Sequence, residues 1–183
     1  PNVDHADAAV LFITGGSTSS SQPQADSAEA QLFGVIATMA KSPVAILQQV
    51  PNQPLHGGLR EDDLIAFTFD KYLTKQGDDW PLLLPMVESA RRAMDTVSTV
   101  MTEKAGAAIK RFVISGASKR GWTTWLTAAA DKRVIAIAPM VIDMLNMQSQ
   151  MEQQIKSYGK FSGQIDPYSK LKIQARLTTP RGK

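Results

Sequence analysis

A serine set between glycines at the top of an apolar run carries the clearest chemical potential in this sequence. Phe112-Val113-Ile114-Ser115 climbs to Gly116, and Ser118 follows two places later. Lys119, Arg120 and Gly121 come next, and a helix-like stretch runs from Trp122 to Ala130. Strand, tight turn and helix in that order form the context of a nucleophile elbow, in which one hydroxyl stands clear of both backbone arms. Glycine suits such a turn because it tolerates crowding and unusual dihedrals. The helix that begins there points its N–H groups and the positive end of its dipole at the same place, where a developing oxyanion is stabilised. Lys119 is expected to contribute its backbone N–H there, whatever its side chain does. The spacing Gly116-x-Ser118-x-x-Gly121 is one residue longer than G-x-S-x-G, and Arg120 stands where a small residue is usual. The competing reading gives Ser118 a local task, capping the following helix, for which serine is a favoured residue.

A serine hydroxyl is a weak nucleophile until a base takes its proton, and that base is usually a histidine held by a carboxylate. The chain has 2 histidines, His5 and His56, and both precede Ser118. The usual order places the base last, so a complete set cannot be assembled in that order. His56 lies in the turn-rich stretch from Pro51 to Gly58, where a surface or loop-packing role is expected. Asp143 follows the strand after the elbow and is the candidate acid. Its alternative is a capping or structural role ahead of the next helix, read as a lid. Gly15 and Gly16 follow the first strand directly, and a backbone N–H there would complete an oxyanion hole. Asp78 and Asp79 read as helix caps rather than a metal pair, because no histidine accompanies them. No cofactor and no metal are expected.

The elements that must hold these residues alternate. Ala8-Ala9-Val10-Leu11-Phe12-Ile13 is a short apolar run ending in Thr14-Gly15-Gly16, as a buried parallel strand would. A helix is expected after Asp26, with Asp26 as cap and Glu29 three residues on. Its apolar side is Leu32, Phe33, Ile36, Met39 and Ala40. Val44-Ala45-Ile46-Leu47 begins the next strand, which is expected to end near Val50-Pro51. Glu61-Asp62-Asp63 opens a second helix with acids in its first turn, and Asp78-Asp79-Trp80-Pro81 opens a third that runs to Lys104. After the elbow, Val134 to Met140 reads as another buried strand and Met147 to Tyr158 as a helix. Gly159 onward shows no strong period. This βαβ alternation predicts one α/β domain over residues 1–183, with a mostly parallel, doubly wound sheet and helices on both faces. In such sheets the site lies at the carboxyl ends of the strands. Gly15, Ser118 and Asp143 each follow directly on one.

Composition narrows the field. The chain of 183 residues is 43% hydrophobic and 20% charged, as in a soluble globular protein. Its formal net charge of +3 is spread without a dense basic tract, so nucleic acid is not an expected partner. There are no cysteines, which excludes disulfides and thiolate metal sites. No run of about 18 apolar residues offers a membrane span. Neither G-x-G-x-x-G nor a G-K-[ST] phosphate loop is present, so Thr14-Gly15-Gly16-Ser17 is not read as a nucleotide site. The opening Pro1-Asn2-Val3-Asp4-His5 and the polar close at Lys183 read as the interior of a longer enzyme, incomplete at its C-terminus.

Taken together, several stretches resemble the PhoPQ-activated pathogenicity-related family of α/β-hydrolase-like proteins. They are Leu11–Ser17, Pro43–Pro54, Glu61–Ala66, Ser115–Trp122 and Val141–Met147. The resemblance implies an α/β-hydrolase fold and Ser118 as the nucleophile of a virulence-associated serine hydrolase. It also implies a Gram-negative setting, with export to the periplasm or beyond. Family members are longer and carry their acid and histidine downstream, which weakens the case for Asp143. The Ser-Lys-Arg-Gly elbow is also similar to that of glucuronoyl esterases, which points to a carbohydrate ester or another small-molecule ester as substrate. The alternative is a non-catalytic secreted interaction protein that keeps the hydrolase fold.

Overall fold

The computed structural model describes residues 7–177. In chain order its elements are β1 (Ala8–Ile13), α1 (Ala28–Ala40), β2 (Val44–Leu47), α2 (Glu61–Leu73) and α3 (Leu83–Ala105). They continue with β3 (Arg111–Ala117), α4 (Lys119–Ala130), β4 (Val134–Met140), α5 (Met147–Tyr158), α6 (Asp166–Lys170) and α7 (Ile173–Leu177). The described chain forms two compact units. The first runs to Asn52 and resumes over Met86–Ile142, and the second combines Gln53–Pro85 with the stretch from Asp143 onward.

The first unit is α/β. Its four strands form one parallel sheet in the order β2-β1-β3-β4. β1 lies between β2 and β3, and it is the most thoroughly buried strand, with Leu11 and Ile13 enclosed. The order reverses between β1 and β3: the chain steps one way from β1 to β2 and the other way from β3 to β4. In doubly wound sheets a reversal of this kind, a switch point, is where ligands bind. β4 pairs with β3 alone among the described residues. None of its side chains is buried, and Ile135 is 49% exposed. The expectation of a fully buried strand is corrected here. An apolar run of seven is what two-sided burial produces, but among the described residues this strand has one neighbour.

Helix α4 sits so close to the sheet that two glycines are obligatory. A Cβ on Gly116 would lie 2.7 Å from the Arg120 carbonyl oxygen. One on Gly121 would lie 2.5 Å from Ile142 Cγ2 and 2.9 Å from the Gly116 carbonyl oxygen. The same helix buries Thr123, Thr124 and Thr127 completely. Each hydroxyl donates to the carbonyl four residues back, at 3.1, 2.8 and 2.7 Å, so no buried oxygen is left unpaired. At the far end of α4, Asp131 takes three bonds from Arg133 and one from Arg91, and Arg133 also reaches Asp95. These contacts join α3 to the turn before β4. The bonds from Arg133 hold the Asp131 carboxyl down at about 2.

In the second unit α6 and α7 pack on α2. Tyr168 donates to Asp62 at 2.9 Å and Arg176 pairs with Asp70 at 2.7 Å. Burial, then the Asp62 charge, pushes the Tyr168 phenol well above its ordinary range. Gln53 accepts from the Glu61 N–H at 2.8 Å and so caps α2 from outside the helix.

Several boundaries differ from expectation. Ser27, not Asp26, caps α1, accepting from the Ala30 N–H at 3.1 Å. Leu32 and Met39 of α1 remain exposed, on a helix whose contacts include β2 and the Phe12 ring, 4.7 Å from Phe33. α3 starts at Leu83, not at Asp78. α4 starts at Lys119, three residues before Trp122. The stretch from Gly159 holds a 3-10 turn, α6 and α7, each too short for a visible period.

Two outcomes follow from this packing. Gly116→Ala is expected to lose roughly 1–3 kcal/mol by overpacking. Gly34→Ala, in α1 with nothing within 4 Å of the added methyl, is expected to gain about 0.5–1 kcal/mol. Urea unfolding of both variants checks this. Asp131 falls from an ordinary value of 3.8 to about 2 on folding. Its contribution, roughly 2 kcal/mol, is therefore complete above the unfolded value and lost as pH falls through the folded one. Asp131→Asn should lower stability at pH 6 and converge on the wild type near pH 2.

Candidate functional site

The geometry around Ser118 begins with register. Ile13 of β1 pairs with Gly116 of β3. Gly15 follows Ile13 by two residues and Ser118 follows Gly116 by two, so both lie just past the carboxyl ends of neighbouring strands. They flank the switch point. Ser118 donates its N–H to the Met140 carbonyl at 2.9 Å, and its own carbonyl accepts from the Trp122 N–H at 3.0 Å. The residue is thus fixed by β4 on one side and by α4 on the other. Its side chain is half-buried.

Backbone conformation separates the two readings of this serine. Ser118 has φ 53° and ψ −120°, a region natural to glycine and costly, at about 1–3 kcal/mol, for a residue with a Cβ. Its hydroxyl caps none of the α4 N–H groups. The capping reading is therefore not what the structure uses: the oxygen is held at the turn without that task. The strain is part of a pattern. Each of the four strands is followed within three residues by a positive φ: Gly16 at 146°, Gln49 at 60°, Ser118 at 53° and Val141 at 50°. Val141 is β-branched and 86% exposed, an unusual place for that conformation. Positive φ also occurs away from this edge, at Lys41, His56, Glu61, Lys75 and Lys172, so the strained serine is read from its own conformation.

The loops after β1 and β2 are bound to each other. Thr14 donates to Leu47 at 2.8 Å, Gln49 to Gly15 at 2.9 Å and Val50 to Thr14 at 3.1 Å. A Cβ on Gly16 would lie 2.9 Å from Gln49 Cγ. The Gly15-Gly16 pair is therefore an ordered segment beside the elbow. In the sequence Arg120 stands out only as a spacing anomaly. It is buried, and its Nε donates to the Val50 carbonyl at 2.6 Å. The available signal was its position: a long cation where the turn usually takes a small residue.

Asp143 belongs to the second unit and is exposed. Its carboxylate accepts from the Leu145 N–H at 2.9 Å, while Asn146 caps α5 by accepting from the Ser149 N–H. The cap of α5 is thus Asn146, and Asp143 makes a local turn bond two residues on. His56, also in the second unit, is exposed and stacks at 5.1 Å from Phe67 and 5.6 Å from Trp80, matching the loop-packing expectation. His5 lies outside the described residues. Among the described residues no group of His, Cys, Asp and Glu could hold a metal ion, and no helix is long and apolar enough to cross a membrane.

No solved structure matches the chain. It is similar to the autocrine proliferation repressor protein A of Dictyostelium discoideum, with 38% identity over 141 residues. That match covers 74% of this chain and 28% of the relative, so the chain spans less than a third of that protein. The family profile described as PhoPQ-activated pathogenicity-related protein matches residues 1–183, its whole length. The chain is a member of the PhoPQ-activated pathogenicity-related protein family.

Proposed function

We propose that this chain carries the nucleophile of a serine hydrolase of the α/β-hydrolase type. The observation that carries the reading is Ser118 itself: a strained, uncapped serine between strand and helix at the switch point of a parallel sheet. Crossovers running in opposite directions from β1 and β3, each right-handed, would set α1 and α4 on opposite faces, as in a doubly wound sheet. In the reaction, Ser118 Oγ attacks an ester or amide carbonyl while a general base takes its proton. The oxyanion that forms is met by the Lys119 N–H at the start of α4 and by an N–H of the Gly15-Gly16 segment. The leaving group departs with the proton returned by the base, and water then releases the acyl group. Acid and base are not assigned to residues of this stretch. A carbohydrate ester is the substrate class this reading favours, and export from the cytoplasm goes with it.

A second reading has its own support. The relative from Dictyostelium discoideum is named as a proliferation repressor, not as an enzyme. An interaction protein that keeps the fold without the chemistry would account for that name.

A fluorophosphonate probe distinguishes the two. In the full-length natural protein it is expected to label Ser118 and to leave Ser118→Ala unlabelled, with peptide mapping locating the adduct. A folded wild-type protein that stays unlabelled would sink the hydrolase reading. Strain provides a separate check. Ser118→Gly should be more stable than Ser118→Ala by about 1 kcal/mol, because only glycine relaxes at φ 53°. Denaturant midpoints of the two variants measure it.

A further inference from the structure

We propose that Arg120 is the positioning residue of this site, holding the Thr14–Gly16 segment against the elbow so that its amides face the Ser118 hydroxyl. The proposal rests on the hydrolase reading and adds a part to it. Arg120 stands two residues after Ser118 in the first turn of α4, and it is only 8% exposed. An arginine is rarely enclosed so far without a task, because its charge must be compensated. Two contacts show the task. Nε donates to the Val50 carbonyl at 2.6 Å. The guanidinium tip lies against Gly15, where an added Cβ would fall 2.5 Å from Nη2 and 2.8 Å from Cζ.

These contacts make a continuous path. Arg120 grips Val50, Val50 donates to Thr14, and Gln49 donates to Gly15. The first turn of α4 is thereby tied to both loops that follow β1 and β2. Because Ser118 and Arg120 are two residues apart on the same turn, the nucleophile and the glycine segment share one rigid frame. Gly15 lacks a side chain so that the guanidinium can lie on its backbone. Lysine would not substitute. It keeps the charge but has neither an Nε–H donor nor a planar group to rest on Gly15.

Two variants of the full-length protein test this, Arg120→Lys and Gly15→Ala. The first removes the grip and keeps the charge. The second pushes a methyl into the guanidinium and leaves Arg120 in place, so it serves if the first does not fold. Amide hydrogen exchange is read at Gly15 and Gly16, and fluorophosphonate labelling is read as maximal rate against half-saturating concentration. Exchange at both glycines should quicken about tenfold or more while β1 and β3 stay protected. The maximal labelling rate should fall about a hundredfold, as small misplacements in an active site do, with half-saturation unchanged. Unchanged exchange at Gly15 and Gly16 overturns the proposal. So does faster exchange with labelling at the wild-type rate, or slower labelling explained by a smaller folded fraction. If the wild type is never labelled, the hydrolase reading fails by itself, and the exchange result alone still decides whether Arg120 holds the segment.

Discussion

The contact on which the rest of this site depends is the approach of α4 to the ends of β3 and β4. Gly116 and Gly121 leave no room for a side chain there, since the atoms an added Cβ would meet include main-chain carbonyls of Arg120 and Gly116. Close-packed interiors give way little to such intrusions. With the helix seated this tightly, the chain has a single residue in which to turn from strand to helix. That residue is Ser118, and its φ of 53° is the consequence. The strain at the serine is thus imposed by packing several residues away on either side. It does not depend on any bond of the hydroxyl.

The same contact explains the unusual spacing of the motif. In a G-x-S-x-G elbow the second glycine would fall at position 120. Here the crowded position is 121, which faces the Gly116 and Met140 carbonyls and Ile142. Position 120 points instead toward the loops after β1 and β2, as the Val50 bond and the Gly15 contact show. A long side chain is compatible with that direction, and a small one would leave those loops without their tie to the helix. The pattern of one longer interval is therefore a packing pattern of its own, with a glycine where backbone meets backbone and an arginine where helix meets loop.

Much of this was legible in the sequence. β1, β4 and α5 stand at the expected residues, and β2 starts at Val44 as expected but stops at Leu47. Apolar runs bounded by Gly and Pro mark parallel strands well. What stayed hidden has identifiable causes. The exposed face of β4 could not be foreseen because an apolar run reports composition, while burial depends on how many neighbours a strand has. α6 and α7 escaped because five-residue helices have no period to detect. Their hold on α2, through Tyr168 to Asp62 and Arg176 to Asp70, joins residues 106 apart in each case. The role of Arg120 stayed hidden for a similar reason. Its partner Val50 is 70 residues away, and the bond is to a backbone carbonyl, which leaves no trace in side-chain chemistry.

The two readings of the protein differ in what they ask of position 118. If the fold served only as a surface for partners, the turn would be satisfied by glycine, which adopts this conformation at no steric cost. A serine there carries roughly 1–3 kcal/mol of strain. That is a sizeable part of the 5–15 kcal/mol by which a domain of this size is stable. Capping does not return that cost, because the hydroxyl bonds to no N–H of α4. The side chain is also not needed to fill space, since it is only half-buried. The remaining asset of serine over glycine is an oxygen held at the carboxyl edge of the sheet, beside a glycine segment and at the head of a helix. An oxygen in that place is worth its strain when it reacts, and this asymmetry is why the hydrolase reading stands ahead of the interaction reading.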